Sequence, residues 1–281
     1  QVKGSGPKGR ILEEDVRQFS QMTSLEGPVA DPQPERGPLA EAIPDTGPME
    51  EEVPYIGLRR KIGQQMVKSA FTIPHTTGMG EMDVTRLVEM RKELVPFVEK
   101  HGCHLTYLPF IIKAVTRCLK EFPYFNATLD EEQGKIILKK YYHIGIATAT
   151  SDGLVVPVIR NADQKTILQL AQELERLTQL ARHRKITAQE LQGSTFTLSN
   201  TGKRRVWFAT PIINYPETAI LGIHAITPKP VVRDGEISVR QMMTYSLSFD
   251  HRVIDGDEAG KFMERLAEIL EHPEVLLLEV K

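Results

Sequence analysis

Cysteine, net charge and long apolar runs are all scarce in this sequence of 281 residues. Its two cysteines, Cys103 and Cys118, are too few for a disulfide framework and favour a reducing, intracellular environment. A formal net charge of −2 gives no broad electrostatic attraction to nucleic acid or to an anionic membrane. No apolar run approaches the roughly 18 residues that a membrane-spanning helix needs. We therefore expect a protein that binds neither nucleic acid nor a membrane.

The composition divides the chain into three parts. Residues 1–20 form a small unit, in which Gly4, Gly6 and Gly9 match the spacing of a dinucleotide-binding fingerprint. No strand pattern precedes these glycines, so we reject that interpretation. Residues 21–55 hold seven of the chain's 18 prolines and eight acidic residues against one basic residue, which predicts a disordered linker. Residues 56–281 have the length and periodicity of one α/β domain.

Helical and strand patterns alternate within residues 56–281. Five segments have the apolar spacing of a helix: residues 59–69, 83–100, 106–122, a segment that begins at 163, and the segment after His251, with apolar residues from Ala259 to Leu270. Six segments have the pattern of a strand: residues 135–138, 143–150, 154–159, 195–199, 218–226 and 238–249. Pro157 interrupts the third of these strands and predicts an edge or a bulge there. Periodicity alone gives the α/β class and no specific fold.

The most informative segment is residues 248–256, which contain the pattern H-x-x-x-D-G from His251 to Gly256. It joins a predicted strand to a predicted helix. A histidine at such a junction can present its ring to a cleft, and imidazole is the side chain best suited to move protons near neutral pH. A lone histidine is more often a structural residue, so the pattern by itself does not establish catalysis.

The same segment also has ordinary structural interpretations. Asp255 lies where a helix N-cap belongs, and Glu258 follows at the spacing of a capping box. Asp250 and Arg252 have the spacing of an ordinary surface ion pair.

Several segments together resemble one protein family, the dihydrolipoamide acyltransferases, which are the core subunits of 2-oxo-acid dehydrogenase complexes. The family's signatures are similar to F-D-H-R-V-I-D-G at 249–256, G-S-T-F-T-L-S-N-T-G at 193–202 and G-L-V-V-P-V-I at 153–159. Three shorter matches, at 73–75, 108–110 and 213–217, occur in the family's order. The resemblance covers roughly residues 55–281 without a break.

The resemblance implies a fold, an assembly and partners. The fold would be the two-layer α/β fold of chloramphenicol acetyltransferase, a mixed sheet with helices on one face. Residues 1–20 resemble the second half of a peripheral subunit-binding domain, which docks the decarboxylase or the dihydrolipoamide dehydrogenase of the complex. The catalytic core would form homotrimers that assemble into a particle of 24 or 60 subunits. The lipoyl group would be carried by a domain absent from this chain.

The resemblance also assigns roles in acyl transfer between two thiols. His251 would be the base that deprotonates coenzyme A or dihydrolipoamide, because the thiolate is the nucleophile. Ser199 would donate to the tetrahedral oxyanion, although a turn-forming serine is the structural alternative. Asp255 would orient the loop by pairing with Arg59. In the family the histidine and serine of one site belong to different subunits, so we expect His251 to face Ser199 of a neighbour.

Contacts to coenzyme A carry over from the family in part. Arg91 occupies the position at which the family has an arginine that contacts the phosphates of coenzyme A. Thr106 replaces the family's common serine and retains a hydroxyl group. Asn200 and Gly222 match as well. One departure is the basic run at 203–205, where the family has small residues; it either alters substrate recognition or belongs to an ordinary loop.

Alternatives to a dihydrolipoamide acyltransferase stay open at this point. A free acetyl-CoA-dependent acetyltransferase would need neither the linker nor the subunit-binding remnant, and a non-catalytic core scaffold would not need His251 and Ser199. The choice of acyl group stays open between acetyl, branched-chain and succinyl. The volume of the acyl pocket decides it, and the sequence does not contain that volume. Residues 101–104 hold histidine and cysteine without a second cluster, so we expect no metal site. We expect a bacterial cytoplasmic location in preference to the mitochondrial matrix.

Overall fold

The computed structural model describes residues 2–23, 50–202, 206–233 and 235–278. It divides the chain into two compact units, Gln1–Val53 and Pro54–Lys281. Most of the predicted linker at 21–55 lies outside the described residues. The boundary between the units therefore falls at the end of the predicted linker.

In the first unit a short 3-10 turn precedes helix α1, Glu13–Thr23. The Asp15 carboxylate joins the two, because it accepts hydrogen bonds from the backbone N–H groups of Ser5 at 2.9 Å and Leu12 at 2.8 Å. These bonds lower the pKa of Asp15. No strand precedes α1 within residues 2–12, so the glycine spacing there lacks the context of a dinucleotide site.

The second unit contains a mixed sheet of seven strands in the order β1-β9-β8-β7-β4-β5, with β6 also paired to β4. Strands β2 and β3 form a separate hairpin. The strands are β1 (His75–Asp83), β2 (Ala127–Asp130), β3 (Lys135–Leu138), β4 (Ile144–Thr150), β5 (Gly153–Val155), β6 (Val158–Ile159), β7 (Phe196–Asn200), β8 (Ala219–Arg233) and β9 (Glu236–Asp250). β7 runs parallel to β4 and β8, and the other neighbours are antiparallel.

Helices cover the sheet and form the main core with it. They are α2 (Gly57–Thr72), α3 (Thr85–Glu99), α4 (Leu108–Glu121), α5 (Ile167–Arg182) and α6 (Gly256–Glu271). As its apolar pattern predicts, α4 is buried on several sides. The ring of Phe125 stacks on Phe262 of α6 at 4.3 Å, at the centre of the core. In the described residues, no helix is both long and apolar enough to cross a membrane.

The two faces of the sheet are buried in different ways. On β8, Leu221 belongs to the main core, whereas Ile220 belongs to a small cluster with Ile73 and Ile213. Neighbouring residues of a strand point to opposite faces, so this cluster marks the second face. α2 is tied to that side because Ser69 Oγ donates to the Ile213 carbonyl at 2.5 Å. The main helices therefore lie on one face, as expected, and α2 belongs to the other.

Two sequence predictions need correction. The helix expected from residue 163 begins at Ile167, because Thr166 forms a complete capping box with Gln169. The set of predicted strands lacks β1 and β2: glycines interrupt the pattern of β1, and β2 has only four residues. A β-carbon at Gly78 would lie 2.6 Å from Met263 Sδ, so the methionine side chain of α6 packs against the bare backbone of this strand.

The predicted interruption at Pro157 is confirmed. The segment 154–159 forms two short strands, β5 and β6, with Pro157 between them. The Pro157 carbonyl still accepts a hydrogen bond from the Ile146 backbone N–H at 2.8 Å.

Candidate active site

His251 follows directly after β9, on a turn that buried charge holds in place. Asp250 is 2% exposed and accepts hydrogen bonds from Arg252 through Nε at 2.9 Å, Nη2 at 2.7 Å and the backbone N–H at 3.0 Å. The His251 backbone N–H donates to the Pro74 carbonyl at 3.2 Å. Asp250 is thus no ordinary surface partner, because its buried carboxylate anchors the turn while His251 stays exposed.

Asp255 is the N-cap residue of α6, but its side chain makes no capping hydrogen bond. The predicted capping box with Glu258 is therefore absent. Burial, together with the neighbouring Asp255 charge, raises the pKa of Glu258. The predicted pair with Arg59 is not formed within this chain either, since both side chains are exposed and unpaired in the part of the chain that is described.

Ser199 stands near the end of β7 in a row of three residues across the sheet. It pairs with Gly222 of β8, and Gly222 pairs with Ser246 of β9. Leu198 points into the main core, so Ser199 lies on the opposite face. Ser199 is half-buried, and its hydroxyl has no hydrogen-bond partner among residues 2–23, 50–202, 206–233 and 235–278. It is free to donate to a bound group.

His251 and Ser199 of one chain do not meet. Ser199 is level with Ser246, which precedes His251 by five residues along β9. At roughly 3.4 Å per residue along a strand and 4.8 Å between strands, the two Cα atoms are about 20 Å apart. His251 lies at the end of the sheet where β7 begins, and Ser199 lies where β7 ends. A site that uses both residues needs two chains.

A cavity of about 630 Å³ opens beside the end of β7. Three of the four predicted coenzyme A contacts, Arg91, Thr106 and Asn200, line it. Gly222 does not, although the residue after it, Ile223, does. The fold thus brings together polar residues from α3, from the segment before α4 and from β7, which are far apart in sequence.

The electrostatics of this cavity suit an anionic ligand. Arg91 Nε donates to the Leu105 carbonyl at 2.8 Å, and its guanidinium lies 5.0 Å from the centre of the Tyr107 ring. These contacts fix the guanidinium but leave its two terminal nitrogens without a hydrogen-bond partner in the described residues, so they can bind a phosphate. Asn200 Oδ1 accepts from the Gly202 N–H at 2.8 Å, which shapes the turn after β7.

Glu217, a buried carboxyl group that had no predicted role, lies at the other end of β7. One oxygen accepts hydrogen bonds from Ser194 Oγ at 2.5 Å, Thr197 Oγ1 at 2.9 Å and Asn214 Nδ2 at 3.1 Å. The second oxygen has no partner among the described atoms. Burial raises the pKa of Glu217 to about 7 despite these hydrogen bonds. Glu217 and Lys139 line a second cavity of about 630 Å³.

Burial is the property of Glu217 that the sequence analysis missed. The only sequence signal was its position directly before an apolar strand, and glutamate is rarely buried at such a place.

No group of three histidine, cysteine or acidic side chains in the described residues could hold a metal ion. Cys103 is buried, and this burial raises the pKa of its thiol, so it is not available as a thiolate ligand. The basic run at 203–205 and the last three residues, 279–281, lie outside the described residues. A role for the basic run therefore stays a prediction.

Comparison with known proteins adds independent information. The sequence profile described as "2-oxoacid dehydrogenases acyltransferase (catalytic domain)" matches residues 47–278. The dihydrolipoyllysine-residue acetyltransferase component of the pyruvate dehydrogenase complex of Bacillus subtilis is 39% identical over 99% of this chain and 64% of its own length. The corresponding protein of Staphylococcus aureus is 40% identical over 99% of this chain and 66% of its own length. The chain thus spans just under two thirds of these relatives.

Two solved structures are also similar. Azotobacter vinelandii dihydrolipoamide acetyltransferase, studied for the roles of a serine, a histidine and an asparagine in its catalytic mechanism, has a TM-score of 0.79 and 42% identity. The match covers 81% of this chain and 94% of that one. The cubic core of a pyruvate dehydrogenase multienzyme complex has a TM-score of 0.79 and 40% identity, with 86% and 99% of the two chains covered.

Proposed function

The chain belongs to the 2-oxoacid dehydrogenase acyltransferase family, and on that premise we propose that it transfers an acyl group between coenzyme A and dihydrolipoamide as the core of a 2-oxo-acid dehydrogenase complex. The observation that carries the proposal is the cavity beside β7, where Arg91, Thr106 and Asn200 meet; Ser199 directly precedes Asn200 on β7 but does not itself line the cavity. An arginine with free terminal nitrogens suits the phosphates of coenzyme A, and a free serine hydroxyl suits the reacting carbonyl.

The positions of the reactive residues support the same conclusion. In the Azotobacter vinelandii enzyme, the serine, histidine and asparagine under study have the same separations along the chain as Ser199, His251 and Asp255 have here. An aspartate replaces the asparagine in this chain. We assign His251 as the base, Ser199 as the oxyanion donor, and Asp255 to orientation of the loop.

The reaction needs one chain for the base and another for the oxyanion donor. Since about 20 Å separate His251 and Ser199 within a chain, His251 of one subunit serves the Ser199 cavity of its neighbour. A closed homotrimer repeats this contact three times and gives three equivalent sites. The likeness to a cubic core supports a larger assembly of such trimers.

Within such a site, the chemistry follows from the two side chains. The imidazole of His251 removes the proton from the attacking thiol, and the resulting thiolate adds to the thioester carbonyl carbon. Ser199 Oγ donates a hydrogen bond to the oxyanion that forms. When the intermediate collapses, the carbon–sulfur bond to the second thiol breaks, and the His251 imidazolium returns the proton to that sulfur. No acyl group becomes attached to the protein.

The ion pair of buried Asp250 with exposed Arg252 holds the His251 turn during these proton transfers. Because the Asp250 carboxylate already accepts three hydrogen bonds from Arg252, it fixes the backbone on both sides of His251.

We assign the acyl group as acetyl, because the curated relatives named above are acetyltransferases. The decarboxylase and the dihydrolipoamide dehydrogenase are the proposed partners of residues 1–20, and the bacterial cytoplasm is the proposed location.

The test is steady-state transfer from acetyl-, succinyl- and isobutyryl-CoA to free dihydrolipoamide, with the purified chain. We expect the highest kcat/KM for acetyl-CoA. Arg91→Ala should raise the KM for coenzyme A. Transfer to chloramphenicol but not to dihydrolipoamide would instead identify a free acetyltransferase, and no transfer to either would identify a scaffold.

A further inference from the structure

His224 is a buried histidine in the wall of the proposed coenzyme A cavity, and the mechanism above does not use it. It lies on β8 and is 3% exposed. It lines the same cavity as Arg91, Thr106 and Asn200. Burying a histidine is unfavourable unless its ring nitrogens find partners, so its contacts are informative.

The ring of His224 lies beside the row of Ser199, Gly222 and Ser246. His224 lies where the register between β8 and β9 shifts, and its hydrogen bond to Ser246, the residue paired with Gly222, places the ring on the face of the sheet that carries Ser199. The ring turns back over Gly222, and its Cε1 and Nε2 atoms lie 3.4 and 3.6 Å from the place that a β-carbon of residue 222 would take. Paired strands are about 4.8 Å apart, so the imidazole is next to Ser199.

Hydrogen bonds connect this ring to both neighbouring strands. His224 Nε2 lies 3.0 Å from Ser246 Oγ, and Nδ1 lies 3.5 Å from Thr201 Oγ1. The Ala209 backbone N–H donates to Ser246 Oγ at 3.5 Å, which leaves the Ser246 hydrogen available for Nε2. Nδ1 then carries the ring hydrogen and donates to Thr201, because a neutral imidazole has one donor and one acceptor. Burial lowers the pKa of His224, which favours this neutral form.

Thr201 is the residue that makes this contact important for the site. It follows Ser199 and Asn200 directly, and its backbone N–H donates to the Ile223 carbonyl at 3.1 Å. The His224 ring, which lies on β8, therefore connects the end of β7 on one side to β9 on the other. Ser199 makes no side-chain hydrogen bond of its own among the described residues, so its position depends on how this end of β7 is held.

We propose that His224 is a positioning residue for acyl transfer: braced by Ser246, its imidazole holds Thr201 and thereby keeps the Ser199 hydroxyl aligned with the thioester oxygen. This inference rests on the proposed function. His224 touches neither thiol in this role and exchanges no proton with substrate. Its effect passes through Ser199, and that dependence distinguishes it from a residue that only stabilises the fold.

The test is a double-mutant cycle between residues 224 and 199 in the intact chain, with acetyl-CoA and dihydrolipoamide as substrates. His224→Ala should lower kcat by about 10- to 100-fold, since a misplacement near 1 Å can have that effect, and should change the KM for coenzyme A little. In a Ser199→Ala background the same change should lower kcat by less than about twofold, because there is no hydroxyl left to position.

Three further variants make the test independent of folding problems. His224→Asn keeps a polar atom near Nδ1 and should retain kcat within about threefold in the Ser199 background. Ser246→Ala removes only the brace and should give an intermediate loss. His183→Ala is the matched control, because this exposed histidine bonds only to its own helix at Gln179. It should leave kcat and KM unchanged.

Several outcomes would overturn the inference. Equal fold-losses for His224→Ala in both backgrounds would make the residue structural, and so would a lowered Tm with unchanged kcat. If His224→Ala does not fold, the same comparison is made with His224→Asn and Ser246→Ala. Wild-type kcat in Ser246→Ala would then refute the role, because His224→Asn is expected to keep kcat within about threefold in any case. An inactive wild-type chain, or wild-type rates for Ser199→Ala, would refute the proposed function itself.

Discussion

Complementation between two inactive variants tests the shared site most directly. The variants are His251→Ala, which should lose about 10²–10⁴ in turnover, and Ser199→Ala, which should lose about 10²–10³. Because about 20 Å separate the two residues within a chain, each working site of the proposed homotrimer would take its histidine from one subunit and its serine from the next. Neither homotrimer contains an intact pair, whereas a mixed trimer can contain one.

The structure also sets the size of the recovery. In randomly assembled trimers, a site is intact when the histidine comes from a Ser199→Ala chain and the serine from a His251→Ala chain. At equal amounts, about a quarter of the sites meet both conditions. At a ratio of three to one, the fraction falls to about 19% in either direction. Recovered activity should follow this symmetric curve as the mixing ratio changes.

The assay is transfer of acetyl groups to dihydrolipoamide after the two variants are unfolded, mixed and refolded together. Wild type treated in the same way measures the refolding yield. Mixing the folded variants without unfolding should restore nothing, since stable subunit interfaces exchange slowly. If co-refolded mixtures stay as inactive as their parents while wild type recovers, each site lies within one subunit, and the shared mechanism is wrong.

Three other predictions follow from the geometry. Ser199→Ala should lower kcat and leave the KM for coenzyme A nearly unchanged in initial-rate assays, because the hydroxyl binds charge that develops only in the transition state. Arg91→Met should raise that KM at least about tenfold with little change in kcat, and a lowered kcat alone would contradict its role at the phosphates. Glu217→Gln should flatten the pH dependence of stability measured by urea unfolding between about pH 4.5 and 7. Burial raises the pKa of Glu217 from 4.5 to about 7, so wild type should lose roughly 3 kcal/mol across that range, because the unfolded chain releases this proton while the folded chain still holds it.

Much of the fold was predictable because it is encoded locally. The apolar spacing of α4, the alternation of β9 and the break at Pro157 each depend on residues within one element, and the structure contains all three. Strand β1 was missed because its own residues do not carry a clear strand pattern. Its glycines weaken the local pattern, and its place at the sheet edge depends on α6 and β9, which are far away in the sequence.

The candidate site was also predictable only in part: the residues were indicated, but their burial was not. The residue type and its place between a strand and a helix indicated His251 as a possible base, whereas Ser199 and the cavity residues Arg91, Thr106 and Asn200 were indicated only by the resemblance to the family. The sequence could not show the burial of Asp250 and Glu217. Burial is set by what packs around a side chain, and those neighbours come from distant segments.

The sequence by itself determined which side chains are available, and only the tertiary structure decided where they stand. The pairing of β7 with β8 and of β8 with β9 places Ser199 and His251 at opposite ends of the sheet. His224 lies where the register of β8 and β9 shifts, and its ring contacts Ser246 and Thr201. Register follows from long-range hydrogen bonds between strands, and a shift of one residue would exchange the two faces. No local pattern contains that information.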